Sequence, residues 1–468
     1  MLNPNRFFDP EPGVRQIAVE LYTAVKGLPL ISPHGHVDPR ILAENTPFPD
    51  PVEMFIIPDH YIFRMLFSQG ISLNALGIPH RDGVVYETDY RKIWRLFAEN
   101  FWLFAGTPSG IWLEYEFSEL FGIDQKLNSN TADKIYDQIR EKLASPDYLP
   151  RSLFERFNLE MLTTTDAPWD NLKYHRQLRE SGWIGNVNPC LRPDGVTNLN
   201  AADWKKNIDS LAEITGIWIN NYSQFIRALE KQREFFKSMG AISTDHAAEE
   251  AYTNRLSEQE ADRLFQQALQ GKVTPDDARQ FTGQMLMEMA RMSCEDGLIM
   301  HLHVGALRNH DPKLFTVYGP DKGADIPIAS EFTRNLKPLL NAYGSHPNFK
   351  LVVFTLDEST YSRELAPLAG YYPALRLGPA WWFHDSIQGM IRFRERVLET
   401  AGVVNLVGFI DDTRAFPSIP ARHDLARRID SNYLAGLVAR HIITLEEARS
   451  MNYALAYGLS KKFYQLKV

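Results

Sequence analysis

The sequence predicts an α/β protein built as a distorted (β/α)8, TIM-like barrel that carries large helical insertions. Two observations lead to this fold class. Short apolar segments, typical of parallel strands buried on both faces, recur along the chain and alternate with helical patterns. Polar clusters rich in histidine, aspartate and arginine follow directly after several of these segments, at the strand ends where barrel enzymes build their sites.

Eight segments fit the pattern of a short buried strand, which is the number that this barrel needs. In chain order they are Leu28–Ser32, Leu159–Thr164, Trp183–Pro189, Met239–Thr244, Leu298–His303, Phe349–Phe354, Ala374–Gly378 and Val403–Phe409. Their uneven spacing leaves long gaps, and the gaps show helical periodicity. We therefore expect helices, rather than further strands, between them.

The longest gaps predict insertions within one structural unit. No repeat, low-complexity tract or flexible linker interrupts the chain, so we expect a single barrel unit over residues 1–468. Residues 40–155 are predicted to form a mainly helical insertion after the first strand, and residues 247–297 a second one between strands four and five. Within the second, Ser257 and Glu260 form a capping-box pattern that predicts a helix start.

Composition narrows the class of protein. The 468 residues are 44% hydrophobic and 23% charged, which indicates a globular protein with a large core. The net charge of −8 argues against nucleic acid as a partner, because no basic excess exists to neutralise phosphates. Two cysteines, the lack of a signal-peptide pattern and the lack of long apolar stretches predict a cytoplasmic enzyme with no membrane partner.

The strongest motif is PHGHVDP, which begins at Pro33 directly after the first predicted strand. Because a strand has a period of two residues, His34 and His36 project from the same face and can bind one cation. Gly35 between them lets the chain turn sharply. An HxH pair can also lie on an exposed strand edge, but its position at the predicted carboxyl end favours a metal site.

Two later motifs could complete this site. His301 and His303 end the fifth predicted strand, and GFIDDTRAF ends the last one. If that strand persists, Asp411 and Asp412 point to opposite faces, so only one of them can face the barrel mouth. Imidazole nitrogens with one carboxylate oxygen suit a divalent metal. Loop capping is the alternative role for the two aspartates.

Other polar clusters carry weaker signals. His60 and Tyr61 lie in PDHYIFRM, a pattern that also fits the start of an interface helix. Arg192 and Arg414 can bind a carboxylate through two parallel hydrogen bonds, although each could equally form a surface salt bridge. Trp382 follows a predicted strand in GPAWWFHD, where an indole could wall a sugar site or simply pack.

Taken together, these motifs resemble the uronate isomerase (glucuronate isomerase) family of the amidohydrolase superfamily. The resemblance covers nearly the whole chain in the family's order. It consists of the first HxH, DHYxxR, TTxD-P, the RPD loop, the pair Asp245–His246, LHxGALRN, WWF-D and D-[ST]-R-x-F. It implies an aldose–ketose isomerase that interconverts D-glucuronate with D-fructuronate and D-galacturonate with D-tagaturonate.

The resemblance also implies a role for each candidate residue. His34, His36 and Asp412 correspond to the metal ligands, and the metal is a divalent ion, usually written as Zn²⁺. His303 corresponds to a catalytic residue that lies near the metal or binds it directly, and Tyr61 moves protons. Arg192 and Arg414 hold the uronate carboxylate, and His60 and Trp382 lie beside the substrate. We expect a homo-oligomer whose partner is a small hexuronate. The chain departs from the family at Ser32, where many members have aspartate. His301 has no counterpart, so we expect a buried, satisfied histidine there.

The chemistry can also be argued from the reaction itself. Aldose–ketose isomerisation moves a proton from C2 to C1 through an enediolate, which needs a base, an acid and stabilisation of negative oxygen. We expect Asp412 to act as the base or to assist it, and Tyr61 to relay a proton at oxygen. A hydride shift is the competing route.

Two other classes of function stay open at this point. A metal-dependent hydrolase of the same superfamily, such as a lactonase or deaminase, commonly holds two metals through a carbamylated lysine on the fourth strand. Here the lysine nearest that strand is Lys237, which precedes it, so one metal is favoured. A non-catalytic acid-sugar-binding protein is the third possibility, and the presence of both histidines and Asp412 argues against it.

Overall fold

A computed structural model describes residues 2–201 and 203–466 of the chain. Over these residues the β-strands are β1 (Leu30–Ser32), β2 (Leu159–Thr163), β3 (Val187–Asn188), β4 (Ser243–Ala248), β5 (Ile299–Val304), β6 (Ala306–Leu307), β7 (Ile326–Pro327), β8 (Leu351–Thr355) and β9 (Leu375–Leu377). Most of them are short and buried, which is typical of parallel strands covered on both faces.

The α-helices occupy much of the remaining chain. They are α1 (Pro12–Val25), α2 (Pro39–Glu44), α3 (Pro51–Phe55), α4 (His60–Ser68), α5 (Tyr90–Glu99), α6 (Pro108–Tyr115), α7 (Ala132–Leu143), α8 (Pro150–Arg156), α9 (Lys173–Glu180), α10 (Asp194–Thr197), α11 (Trp204–Thr215), α12 (Tyr222–Ser238), α13 (Glu258–Leu269), α14 (Pro275–Asp296), α15 (Pro312–Tyr318), α16 (Lys337–Tyr343), α17 (Ala366–Tyr371), α18 (Ile387–Ala401), α19 (Ile419–Ala439), α20 (Leu445–Tyr453) and α21 (Leu459–Phe463). Short 3₁₀ turns at Trp382–His384 and Phe416–Ser418 matter for the site.

The strands form two parallel sheets, so the predicted α/β class is confirmed. One sheet has the order β1-β2-β3 and the other β4-β5-β8-β9, while β6 and β7 form a small antiparallel pair. Single parallel bridges connect the two sheets: Leu191 pairs with Asp166 on one side and with Thr244 on the other. The carboxyl ends of both sheets therefore lie at one side of the molecule.

The prediction of a regular eighth strand over Val403–Phe409 was wrong. It begins with a 3₁₀ turn and makes one bridge, from Leu406 to Leu377 of β9. Gly408 has a φ of 84°, which ends the extended conformation. The carbonyl of Val407 accepts a hydrogen bond from the Ser460 hydroxyl at 2.7 Å, so a side chain takes the place of a ladder partner.

Helices α2–α8 all fall between β1 and β2, and local capping explains where several of them begin. Asp38, Asp50 and Asp59 each accept a hydrogen bond from a backbone N–H of the first turn of α2, α3 and α4. The predicted capping box at Ser257 is confirmed at the start of α13. Local signals therefore set the starts of these helices.

The beginning and the end of the chain are held together. Helix α19 packs on α1, and Arg427 donates hydrogen bonds to the carbonyls of Lys26, Leu28 and Pro29, just before β1. The backbone N–H of His36 donates to the carbonyl of Thr413 at 2.9 Å. Among residues 2–201 and 203–466, none of the helices combines the length and apolarity needed to cross a membrane.

Candidate active site and metal centre

One cavity at the carboxyl ends of the strands, with a volume of about 410 Å³, brings the predicted site residues together. All nine of them line it: His34, His36, His60, Tyr61, Arg192, His303, Trp382, Asp412 and Arg414. They come from six separate regions of the chain. The cavity is therefore a product of the tertiary fold.

The two histidines of the first motif and Asp412 form a compact donor set. The Nε2 atoms of His34 and His36 lie 3.3 Å and 3.2 Å from the same Asp412 oxygen, Oδ1. This oxygen is buried and accepts no hydrogen bond from the described residues. Three donor atoms that converge without a hydrogen bond fit a divalent metal ion.

Burial and charge act against each other at these three groups. Burial alone would raise the pKa of Asp412, but the imidazoles of His34 and His36 hold it well below its usual range. For His36 burial prevails and lowers the pKa to about 4, so its ring is neutral at pH 7. An ionised carboxylate beside a neutral imidazole is the protonation state in which both can bind a metal. At His34 burial acts to lower the pKa, but the carboxylates of Asp245 and Asp412 raise it well above its usual value, so a metal that binds there would displace a proton.

Backbone contacts fix the turn that presents the two histidines. The Thr165 hydroxyl donates to the carbonyl of Gly35 at 2.8 Å. A Cβ added to Gly35 would lie 3.4 Å from the carbonyl oxygen of Thr413, so the close approach of the two loops favours glycine. Thr165, the third threonine of LTTTDAP, therefore positions the HxH turn.

We expect Thr165→Val to weaken metal binding by about tenfold to a hundredfold, because the Thr165 hydroxyl holds the turn that orients His34 and His36. A competition titration with a chelator measures the dissociation constant. Thr163→Val is the matched control, since the Thr163 hydroxyl is buried on β2 without a hydrogen-bond partner among the described residues. Equal losses in both variants would contradict a specific role for the Thr165 hydroxyl.

Asp412 is held from its other side by a tryptophan. The indole Nε1 of Trp381 donates to Asp412 Oδ2 at 2.5 Å, which leaves Oδ1 for the histidines. Asp412 itself has a left-handed backbone with a φ of 41°. Asp411 turns away, towards the Ser32 hydroxyl at 3.1 Å and His423 Nε2 at 3.1 Å.

A second buried cluster borders the donor set. His303 Nδ1 shares a hydrogen bond with Asp245 Oδ1 at 2.7 Å, and the His303 ring centroid lies 4.7 Å from that of His34. Arg192 Nη1 lies 3.2 Å from Asp245, and Arg192 Nε donates to Asp194 at 2.6 Å. A second group of possible metal donors consists of His34, Asp245 and His303. His303 therefore borders the first donor set, and its Nε2 has no hydrogen-bond partner among the described residues.

Tyr61 lies next to a buried cation. The guanidinium carbon of Arg422 stands 3.6 Å from the ring centroid of Trp112 and 5.5 Å from that of Tyr61. Arg422 is held by Asp385 at 2.8 Å, across the floor of the cavity. Burial raises the pKa of Tyr61 well above its usual value, and Arg422 opposes this rise. The phenol is therefore protonated at neutral pH and has a cation close by.

Three further predicted residues line the cavity: Arg414, His60 and Trp382. Arg414 Nη2 pairs with Asp321 Oδ2 at 3.1 Å. Burial lowers the pKa of His60 to about 3, and Arg414 adds to this effect, so the ring is neutral. Its centroid lies 5.6 Å from that of Trp382, whose other neighbour is the guanidinium of Arg308 at 4.8 Å.

Backbone strain is concentrated in this cavity. Ten non-glycine residues of the described chain have positive φ, and four of them line the cavity: Asn309, Asp321, Trp382 and Asp412. Such conformations are uncommon and cluster at functional sites, where the surrounding structure maintains them. This observation supports the location of the site independently of its side-chain chemistry.

Several contributors were not predicted as site residues. Four such residues touch the donor set or its neighbours: Trp381, Asp245, Thr165 and Arg422. Trp381 and Thr165 follow strands, Asp245 lies within β4, and Arg422 lies in the first turn of α19. His301 is buried as expected and shares a hydrogen bond with the Tyr464 hydroxyl at 2.8 Å, while its Nδ1 has no partner among the described residues.

Comparisons with known proteins agree on one family. The family model described as glucuronate isomerase matches residues 13–464. A uronate isomerase from Nostoc punctiforme is 54% identical over 467 residues, covering 100% of this chain and 98% of the relative.

Solved structures lead to the same family. The glucuronate isomerase from Caulobacter crescentus matches with a TM-score of 0.98 and 49% identity, covering 100% of this chain and 98% of that one. The uronate isomerase from Thermotoga maritima matches with a TM-score of 0.92 and 27% identity, covering 99% of each chain. The family predicted from the motifs is confirmed, and this chain belongs to the uronate isomerase (glucuronate isomerase) family.

Proposed function

We propose that the protein is an aldose–ketose isomerase that interconverts D-glucuronate with D-fructuronate and D-galacturonate with D-tagaturonate. The observation that carries this proposal is one cavity that combines a metal-donor set with an arginine at its mouth and a buried phenol beside the Arg422 guanidinium. Membership of the uronate isomerase family supports the same substrates. A hexuronate presents a carbonyl end and a carboxylate end, and the cavity offers a suitable partner for each.

Arg414 is the better partner for the substrate carboxylate. Arg192 already pairs with both Asp194 and Asp245, so its charge is more than neutralised. Arg414 has one ion-pair partner among the described residues and is 37% exposed in the cavity mouth. We therefore assign the carboxylate to Arg414, with neutral His60 and the Trp382 indole beside it. Arg192 then donates to hydroxyl groups of the substrate.

His34, His36 and Asp412 would hold the metal, which we propose to be Zn²⁺, since two imidazoles and one carboxylate suit this ion. When bound, such an ion polarises the carbonyl and stabilises negative charge on oxygen. His303 is assigned as a neighbour of the metal; its hydrogen bond from Nδ1 to Asp245 fixes the ring and leaves Nε2 without a partner among the described residues. In that place its Nε2 can hydrogen-bond a substrate oxygen.

The protein side chains carry the proton transfers. The base that moves the proton between C2 and C1 is Asp412 or a group that it assists. Tyr61 supplies and recovers the proton at the substrate oxygen, and Arg422 stabilises the phenolate that forms when the proton leaves. Trp381 keeps Asp412 in one orientation during the transfer.

The proposal is tested by assaying the zinc-loaded protein on D-glucuronate and D-galacturonate, with D-glucose as the neutral comparison. We expect ketose to form from both uronates and far more slowly from glucose. If the metal-loaded protein converts neither uronate, the proposal is wrong.

The same assay in D₂O separates the two routes. Proton transfer through an enediolate is expected to place solvent deuterium at C1 of the ketose, measured by NMR at several conversions. Product without deuterium at every conversion would contradict exchangeable proton transfer and favour a hydride shift.

The hydrolase alternative is not favoured. A second metal in that class commonly needs a lysine on the fourth strand, whereas β4 reads STDHAA. Lys237 lies at the end of α12, where its ammonium donates to the backbone carbonyl of Asp296. It is exposed and does not line the cavity.

We further propose that the parallel strands close into a distorted eight-stranded barrel. The bridges at Leu191 and Leu406 and the bond from His36 to Thr413 support closure of the sheet. Residues 40–155 and 247–297 would then be helical insertions in one unit, 1–468.

A homo-oligomer is proposed as well, tested by light scattering. Two buried free cysteines fit a reducing, cytoplasmic location.

A further inference from the structure

A loop at the cavity mouth places a carboxylate of the protein itself against Arg414. Residues 319–325 connect α15 to β7, and Asp321 lies in this loop. Its Oδ2 atom lies 3.1 Å from Arg414 Nη2, and both residues line the cavity. Across residues 2–201 and 203–466, this is the one hydrogen bond or ion pair that the Asp321 side chain makes.

Positive charge converges on this carboxylate. Burial acts to raise the pKa of Asp321, but Arg414 and then Arg308 lower it to about 2. Arg414 and His60 are also the groups to which the proposed function assigns the substrate carboxylate. Asp321 therefore lies where the cavity most favours an anion.

The loop is anchored at its base and loosely held at its tip. Asp325 accepts hydrogen bonds from Arg308 at 2.9 Å and from the backbone N–H of Asn309 at 2.8 Å. Gly323 packs on α4, since a Cβ there would lie 2.5 Å from the Cβ of Arg64. Asp321, in contrast, has a φ of 58°, an uncommon conformation for a residue with a side chain. Release of Arg414 needs only a change at this tip.

We propose that Asp321 occupies the carboxylate subsite of the free protein as an internal competitor, and that a bound hexuronate displaces it from Arg414. The inference rests on the proposed function, in which Arg414 receives the substrate carboxylate. A uronate replaces one carboxylate on Arg414 with another. A neutral sugar cannot make this exchange, so it leaves Asp321 in place. Asp321 thus lowers the affinity of the free protein for ligands that carry a carboxylate and leaves its affinity for neutral ligands unchanged.

The test compares ligand binding, not turnover, in the zinc-loaded protein and in Asp321→Asn. Asparagine keeps the size of the side chain and tolerates positive φ. Isothermal titration with D-glucarate, a six-carbon acid that lacks a carbonyl to isomerise, is expected to give a dissociation constant about tenfold lower in the variant, because an ionic competitor has been removed. Binding of the neutral alditol D-glucitol is expected to change little.

Two controls make the result specific. Asp82→Asn removes the same charge from a side chain that is 65% exposed and lies outside the cavity, so it should leave glucarate binding unchanged. The double variant Asp321→Asn with Arg414→Met should lose the gain in affinity, which a double-mutant cycle quantifies.

The outcomes separate the inference from the proposed function. Tighter glucarate binding in Asp321→Asn alone supports the inference. Unchanged or weaker binding overturns it, and weaker binding would mean that Asp321 orients Arg414 for the substrate. If the zinc-loaded parent protein binds no glucarate and isomerises neither uronate, the proposed function fails, and the inference fails with it.

Discussion

Asp412→Asn is expected to abolish both metal retention and turnover. Its Oδ1 atom is the common neighbour of His34 and His36, and the carboxylate supplies the negative charge of the donor set. An amide of the same size keeps at most a neutral oxygen. We expect kcat/KM for D-glucuronate to fall by more than about a hundredfold. Metal content after gel filtration, measured by atomic absorption, should fall in parallel.

The neighbouring aspartate provides a matched control. Asp411 is more deeply buried than Asp412, and it bonds to Ser32 and His423 instead of the donor set. Asp411→Asn should therefore lower the melting temperature and still retain the metal. If Asp411→Asn loses the ion while Asp412→Asn keeps it, the assignment of the donor set is wrong.

Arg414→Met is expected to raise KM for D-glucuronate by about tenfold to a hundredfold, the contribution of a hydrogen bond between charged partners. Methionine keeps much of the apolar stem and removes the guanidinium. A neutral aldohexose has no carboxylate at C6, so its KM should change much less. Steady-state kinetics on both sugars measure the difference.

Arg192→Met separates the roles of the two arginines. Arg192 neutralises Asp245 and Asp194, so its loss leaves two buried carboxylates without their cation. We expect a lower melting temperature and a lower kcat, without preference between a charged and a neutral sugar. A selective rise in KM for the uronate in Arg192→Met, with none in Arg414→Met, would reverse our assignment.

Local spacing was sufficient to predict much of the site. His34 and His36 are two residues apart just after the first strand, and this spacing was enough to indicate one site, although both lie in the turn after β1 that contacts from Thr165 and Thr413 hold. The DHY motif is equally local, because Asp59 caps α4 and so sets the positions of His60 and Tyr61. Most of the parallel strands could be predicted from their apolar runs.

Residue spacing predicts the face of a strand on which a side chain lies, but it does not predict what that side chain contacts. His301 and His303 share a face of β5, yet His303 lines the cavity and His301 bonds to Tyr464, contributed by the end of the chain. Arg422 could not be found either, since an arginine on a helix is usually a surface group. Its place under Tyr61 depends on the packing of α19 against Trp112.

The last strand shows a further limit. Val403–Phe409 has the apolar composition of a buried strand, but Gly408 and the bond from Ser460 to Val407 interrupt it. The side chain of Ser460 lies more than fifty positions further on, at the start of α21. A contact over that separation leaves no local pattern in the sequence.

The contact between the end of β1 and the segment before α19 also bears on biosynthesis. Ser32 and Asp411, which are hydrogen-bonded across it, are 379 positions apart in the chain. A nascent chain on the ribosome holds both histidines of the donor set long before its aspartate has been translated. The three residues that would hold a metal therefore cannot come together before Asp412 has been translated.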